Sequence, residues 1–167
     1  ALRLDQFEVH AQSQVDHDGR ETGAELLLRW RHPKRGMVSP LQFIPVAEAS
    51  GLIMPLGQQV LRQACEALAR LQHAGLDKTL SVNVSPRQFR GEDFVQQVRS
   101  ALAETGARAD RLLFEVTEGL LIEQVDDTIA RMAELVAMGV RFSIDDFGTG
   151  YSSMAYLKRL PLYEIKI

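Results

Sequence analysis

Short runs in which apolar and polar residues alternate recur along the chain, separated by longer runs whose apolar residues return every three or four positions. Phe7-Glu8-Val9-His10-Ala11-Gln12 alternates and leads into the polar turn Asp16-His17-Asp18-Gly19. A second strand is predicted over residues 22–30, ending at the turn His32-Pro33-Lys34-Arg35-Gly36. Ser39-Pro40 then sets a capping residue before a proline suited to the first helical position. That short helix runs to about Ser50, where Gly51 suits the left-handed residue just past a helix end. A longer helix over 54–74 gathers Val60, Leu61, Ala64, Leu68 and Leu71 on one face and stops at Gly75.

From there strand and helix alternate. Thr79-Leu80-Ser81-Val82-Asn83 reads as a strand, and 94–104 as a helix with Phe94, Val98 and Leu102 at helical spacing. Leu112-Leu113-Phe114-Glu115-Val116 is a strand, and 126–138 is a helix closed by Gly139. Val140-Arg141-Phe142-Ser143-Ile144-Asp145 is a strand, 152–160 a short helix ended by Pro161, and 163–167 a last strand. Such alternation implies βαβ units and a parallel sheet. With no linker or low-complexity stretch, residues 1–167 read as a single α/β domain. The absence of an initiator Met and the strand running to the last residue suggest a piece of a longer protein.

Each strand meets a polar residue where its apolar part ends: Glu25, Asn83, Glu115, Asp145 and Lys166. In a (β/α)8 barrel the carboxyl ends of the strands build the active site, so these five residues are expected to converge on one mouth. The plainer reading is that polarity simply resumes at strand ends. The carboxylates and the amide are hard oxygen donors suited to Mg²⁺ or Mn²⁺, with a lysine among them, and no Cys/His cluster points to zinc. Asp145 and Asp146 are neighbours, and both face one site only where the strand ends and the backbone turns. Crowded carboxylates repel unless a cation lies between them, although a helix cap or solvated turn also explains such a pair. Two cations a few ångströms apart suit in-line displacement at phosphorus. Lys166 then suits the phosphate or the attacking water. Arg29 shares a strand face with Glu25 and suits a phosphate, or else a rim salt bridge.

Other signals carry less. The glycine-rich run after Asp146 lacks a GxxxxGK pattern, and its Asp-Phe-Gly triplet has no Gly-rich ATP loop or His-Arg-Asp segment to make a kinase. His10, His17, His32 and His73 have no paired ligand spacing and are expected at turns or on the surface. Asn83-Val84-Ser85 matches a glycosylation sequon in a chain with no secretory signal. The 167 residues carry 19 Lys plus Arg against 22 Asp plus Glu, a net charge of −3, which argues against binding a nucleic-acid polymer. With 46% apolar residues the chain can bury a core unaided. One cysteine, Cys65, fits a reducing compartment. No apolar run nears the roughly 20 residues of a membrane span. A cytoplasmic domain is therefore expected, with any membrane anchor of the parent lying elsewhere.

Taken in order, the motifs resemble the EAL-domain family, bacterial phosphodiesterases that open cyclic di-GMP to linear pGpG. Glu25-Leu26-Leu27-Leu28-Arg29-Trp30 resembles the signature E-A-L-x-R-W, followed by His32-Pro33 and Gly36. Phe43-Ile44-Pro45-Val46-Ala47-Glu48 with Gly51-Leu52-Ile53 resembles a second stretch of that family. Val82-Asn83-Val84-Ser85, Glu115-Val116-Thr117-Glu118, the DDFGTGYSS run from Asp145 and Lys166-Ile167 resemble later ones. Any one is weak, and six in register are strong.

The resemblance implies a modified TIM barrel whose first strand runs antiparallel, here incomplete after about six strands. It implies metal ligation by Glu25, Asn83, Glu115 and Asp145, with Asp145 bridging two Mg²⁺ or Mn²⁺ ions and Asp146 on the second. Lys166 would contact the catalytic water, Arg29 a phosphate, and Gln12 and Leu27 the dinucleotide. Glu118 would hold the Asp-Phe-Gly-Thr-Gly loop and couple the site to a barrel–barrel homodimer. Sensory or cyclase domains are expected to flank the domain in the parent.

Three departures stand out. Leu26 replaces the signature alanine, at a position expected to face away from the site. Ser13-Gln14 replaces a Pro-aliphatic pair and is expected to loosen one pocket wall. The family's later segments, with a further metal-binding glutamate, the proposed general base and a glutamine, are absent, so the isolated chain is expected to be inactive or nearly so. A cyclic di-GMP receptor that binds without cleaving is the alternative function. It is disfavoured because degenerate relatives lose acidic ligands and this chain keeps them. A truncated scaffold with no ligand is a third reading.

Overall fold

A computed structural model describes residues 4–121, 125–145 and 159–165. Among these, seven strands form one sheet: β1 (Phe7–Val15), β2 (Glu21–His32), β3 (Gly36–Val38), β4 (Thr79–Asn83), β5 (Leu112–Thr117), β6 (Arg141–Asp145) and β7 (Glu164–Ile165). Their spatial order is β1-β2-β4-β5-β6-β7, with β3 also on β2. β1 and β2 are antiparallel, and every later neighbour along the path is parallel. β2 is long because it serves two partners on one edge. Its Gly23–Leu26 part lies parallel to β4, and its Trp30–His32 end turns back against β3.

The helices are α1 (Pro40–Ser50), α2 (Ile53–His73), α3 (Pro86–Phe89), α4 (Phe94–Thr105) and α5 (Val125–Ala137). Period-2 strands put Leu80, Val82, Phe114, Val116, Phe142 and Ile144 on one face. That face meets the buried stripe of α2 (Val60, Leu61, Ala64, Cys65, Leu68), together with Val98 of α4 and Met132 and Leu135 of α5. Phe89, Phe94, Phe114 and Phe142 close this core as a chain of ring contacts 5.4–6.0 Å apart, tying α3 and α4 to β5 and β6. A second, smaller core joins Phe7, Val38, Phe43, Ala47, Ile53 and Leu56 beside Trp30. There Phe7 stacks on Trp30 at 5.6 Å and meets Phe43 edge-on. It fixes the β1–β2–β3 ribbon, and α1 with it, beyond the end of the parallel strands.

Most predicted elements stand within a residue or two of their expected bounds, and the antiparallel first strand is present. Among the described strands and α-helices, two were not predicted. β3 has three residues and α3 a single turn, too few to show a period. α3 is set locally by Pro86 at its start and by Ser85, whose hydroxyl accepts the Gln88 amide at 3.1 Å. Ser39 stands at the expected helix start but makes no side-chain cap, while Gly51 takes the expected left-handed conformation at φ 78°. The helix predicted over 152–160 lies outside the described residues, except for its end at Arg159 and Leu160. No described helix is long and apolar enough to cross a membrane.

Glycine is required at 23. A Cβ there would stand 2.0 Å from the Thr79 carbonyl oxygen, in backbone that the β2–β4 pairing holds in place. Gly23→Ala in the full-length protein is therefore expected to cost about 1–3 kcal/mol or more of domain stability, read by urea denaturation. An unchanged midpoint would mean that the β2–β4 edge is not packed this way.

Candidate active site

The inner face of the sheet, opposite the helices, is polar. Strand register aligns its residues across β2, β4, β5 and β6: Glu25 stands opposite Ser81, Asn83 opposite Glu115, Glu115 opposite Ser143 and Thr117 opposite Asp145. Asn83 and Asp145 end their strands, and Glu115 is two residues from the end of β5. Glu25 is different, since it lies in the middle of β2. What ends there is the parallel pairing, whose last partners are Leu26 and Val82. The expectation that each polar residue ends its strand is corrected accordingly: β2 continues upward as the ribbon and carries Leu27 and Arg29 above Glu25 on the same face.

Glu25 and Asn83 meet directly, with the Asn83 Nδ2 donating to Glu25 Oε1 at 2.7 Å. Spending its N–H on Glu25 leaves the Asn83 carbonyl oxygen as an acceptor for another group. Glu115 is 2% exposed, an unusual place for a carboxylate. Leu27, Arg29, Asn83, Glu115, Thr117 and Asp145 line a cavity of about 600 Å³, which continues between α1 and α2. Arg29 is half-buried, and Nη1 donates to the Leu28 carbonyl at 3.2 Å. It forms no ion pair among the described residues, so the rim salt bridge is not seen. Gln12 is exposed and stands opposite Glu25 in the β1–β2 pair, while Leu27 stands opposite His10.

The donor set fits hard divalent cations. Three carboxylates and an amide oxygen, all oxygen donors, project from one face of four adjacent strands, and one of the carboxylates is withdrawn from water. Among the described residues no three acidic, histidine or cysteine side chains stand together as one metal cluster. Strand spacing explains this, because β4 separates Glu25 from Glu115 by two steps of roughly 4.8 Å. The strand between contributes an asparagine. Asp146, Lys166 and the Glu118 side chain lie outside the described residues. The histidines are as expected: His73 bonds to the Ala69 carbonyl, His32 accepts from the amides of Lys34 and Arg35, and none meets the site carboxylates.

A model of the EAL domain matches residues 1–167. The chain belongs to the EAL-domain family. Over 169 aligned residues, all of this EAL chain, it is 43% identical to the bifunctional diguanylate cyclase/cyclic di-GMP phosphodiesterase MucR of Pseudomonas aeruginosa. It is 45% identical to the cyclic di-GMP phosphodiesterase NbdA of the same organism. It spans 25% and 22% of those two proteins. A solved structure of the PaMucR phosphodiesterase in complex with c-di-GMP superposes with a TM-score of 0.93 at 43% identity, covering 98% of this chain and 67% of that one. The mixed sheet with its antiparallel first pair is thus a portion of the TIM-like EAL barrel.

Within the EAL chain, the signature departure at Leu26 alternates with Glu25 and packs in the main core at 7% exposure, while also bordering the cavity. Ser13 and Gln14 divide between the two faces. Ser13 lines a separate groove with Ala11 and α2 residues, and Gln14 points inward to accept from Ser81 Oγ at 3.3 Å. Neither residue lines the cavity that holds Asn83, Glu115 and Asp145.

Sequence reasoning missed the α1 wall, where Pro40, Leu41, Ile44, Pro45 and Glu48 line the cavity. The available signal was an excess of apolar residues over one stripe: Phe43 and Ala47 fill the core, leaving Leu41 88% exposed. It also missed an ion pair on the ribbon. Arg31 grips both oxygens of Glu8, at 2.6 and 3.1 Å, and His10 Nε2 lies 3.1 Å from Glu8 Oε2. These hydrogen bonds, that from Arg31 first, lower the Glu8 carboxyl to about 2. A carboxyl depressed on folding stabilises above its unfolded value of about 4.3 and loses that contribution as pH falls through about 2. Carboxyl NMR titration is expected to place Glu8 near 2 and to return it toward the ordinary range in Arg31→Ala. A normal value in the unmodified protein would exclude the pair in solution.

Proposed function

We propose that the protein carrying this chain is a bacterial signalling phosphodiesterase that hydrolyses cyclic di-GMP to linear 5′-pGpG. The carrying observation is the alignment of Glu25, Asn83, Glu115 and Asp145 on one face of four adjacent strands, in a chain similar throughout to MucR and NbdA. In the reaction, oxygen of water bonds to phosphorus, the P–O3′ bond breaks, and the 3′ oxygen leaves with a proton.

Glu25, Asn83, Glu115, Asp145 and Asp146 would hold two divalent cations, Mg²⁺ or Mn²⁺, which when bound neutralise phosphate charge and acidify water. The Asn83 bond to Glu25 holds that carboxylate in place before substrate arrives. Arg29, fixed to the backbone by one N–H, keeps other guanidinium donors for a phosphate oxygen. Gln12 and Leu27 would contact the dinucleotide from the ribbon. Lys166 would orient the attacking water, and Glu118 would hold the loop after Asp145 and link the site to a barrel–barrel homodimer.

Residues 1–167 are read as one EAL-type domain lacking its C-terminal part, so the isolated chain should turn over little or no substrate. Sensory or cyclase domains would supply the remainder of the parent, in keeping with the small share of MucR and NbdA that this chain spans.

The test is chromatography of cyclic di-GMP incubated with the full-length protein in Mn²⁺ buffer. A pGpG peak is expected, abolished by EDTA and reduced on the order of 100-fold or more by Glu25→Ala, the several kcal/mol that a lost metal carries. Retention of tightly bound, uncleaved cyclic di-GMP would instead make the domain a receptor.

A further inference from the structure

Ser143 is the inner-face residue whose chemistry is left over. It is fully buried in β6, at 0% exposure, and its Oγ has no hydrogen-bond partner among the described residues. An unpaired buried hydroxyl costs about 1–3 kcal/mol, so one in the middle of a strand calls for a reason. Register supplies two flanking carboxylates on the same face, Glu115 of β5 on one side and Glu164 of β7 on the other. Glu164 is half-exposed and can be solvated, whereas Glu115 is buried. Ser81 makes a useful contrast. It is equally buried on the same face, but its hydroxyl is already donated to Gln14.

We propose that Ser143 is a positioning residue for Glu115: with a divalent cation on the site, its hydroxyl donates to the Glu115 carboxylate oxygen turned away from the ion. This rests on the metal-site reading above. A hydroxyl held in reserve beside a ligand fixes which carboxylate oxygen is presented and keeps the other satisfied out of reach of water. In the metal-free protein the same hydroxyl is idle, so removing it should not weaken the fold.

The test uses full-length protein and Mn²⁺ alone, with free Mn²⁺ read from its electron paramagnetic resonance signal. Ser143→Ala is expected to bind Mn²⁺ roughly 10- to 100-fold more weakly. It should melt, metal-free, no lower than the unmodified protein, and saturating Mn²⁺ should restore its turnover. Ser81→Ala is expected to do the reverse, lowering the melting temperature and leaving Mn²⁺ affinity in place. Unchanged affinity in Ser143→Ala, or equal weakening in both variants, would overturn the positioning role. Absence of Mn²⁺ binding by the unmodified protein would overturn the metal site itself and this role with it.

Discussion

The burial of the Glu115 carboxylate at the end of a parallel strand is the constraint around which the structure is arranged. A carboxylate withdrawn from water costs several kcal/mol unless charge or hydrogen bonds compensate, and no apolar neighbour can provide either. The sheet answers this by giving its two faces different chemistry. Leu112, Phe114 and Val116 carry the burial on the outer face, so the residues between them are free to be chosen for chemistry. The same parity places Ser81 with Asn83 and Ser143 with Asp145 opposite the core. A polar inner face is thus affordable because the outer one is apolar almost without interruption and is covered by α2, α4 and α5.

That division also explains what could be read in the sequence. β4, β5 and β6 were legible to the residue or nearly so, because each is a short apolar run with a polar residue where its pairing ends. Asn83, Glu115 and Asp145 followed directly. Glu25 was legible as chemistry but not as position. The β2 run passes through it without a break, and only the partner strands reveal that parallel pairing stops at Leu26. β3 and α3 were beyond reach for a simpler reason, since three or four residues show no period and their stability comes from what they pack against. The α1 wall was hidden by convention. A helix with apolar residues on more than one side reads as buried, yet α1 turns its surplus toward a cavity rather than a core.

The two ends of the sheet are held by different means. At the amino ends of the parallel strands, Arg108 bridges Asp77 and Asp110, Arg111 reaches Asp77, and Gln72 accepts the Arg108 amide at 2.6 Å. These contacts tie the α2–β4 and α4–β5 connections together without entering the inner face. Exposed pairs of this kind contribute little singly, and their value lies in fixing where β4 and β5 start. At the carboxyl ends the described residues are held in another way. There the ribbon is positioned by a second aromatic core of Phe7, Trp30 and Phe43, and a rigid wall of Leu27 and Arg29 rises over the strand ends. Stability at one end and a chemically open mouth at the other is the arrangement expected of barrel enzymes.

The departure at Ser13-Gln14 shows how far a single step of parity reaches. As a pair of residues it suggested damage to the pocket. In the antiparallel pairing with β2, however, neighbours on β1 face opposite ways, so the two substitutions belong to unrelated surfaces. Ser13 falls outside with Ala11, where small residues leave a groove against α2. Gln14 falls inside, opposite Gly23, and with no side chain on that glycine it spans β2 to reach Ser81 on β4. The long amide therefore replaces apolar filling with a cross-strand bond beneath Glu25. It satisfies one buried hydroxyl of the polar face, while the other, Ser143, stands opposite Glu115 in the register of the next strand pair.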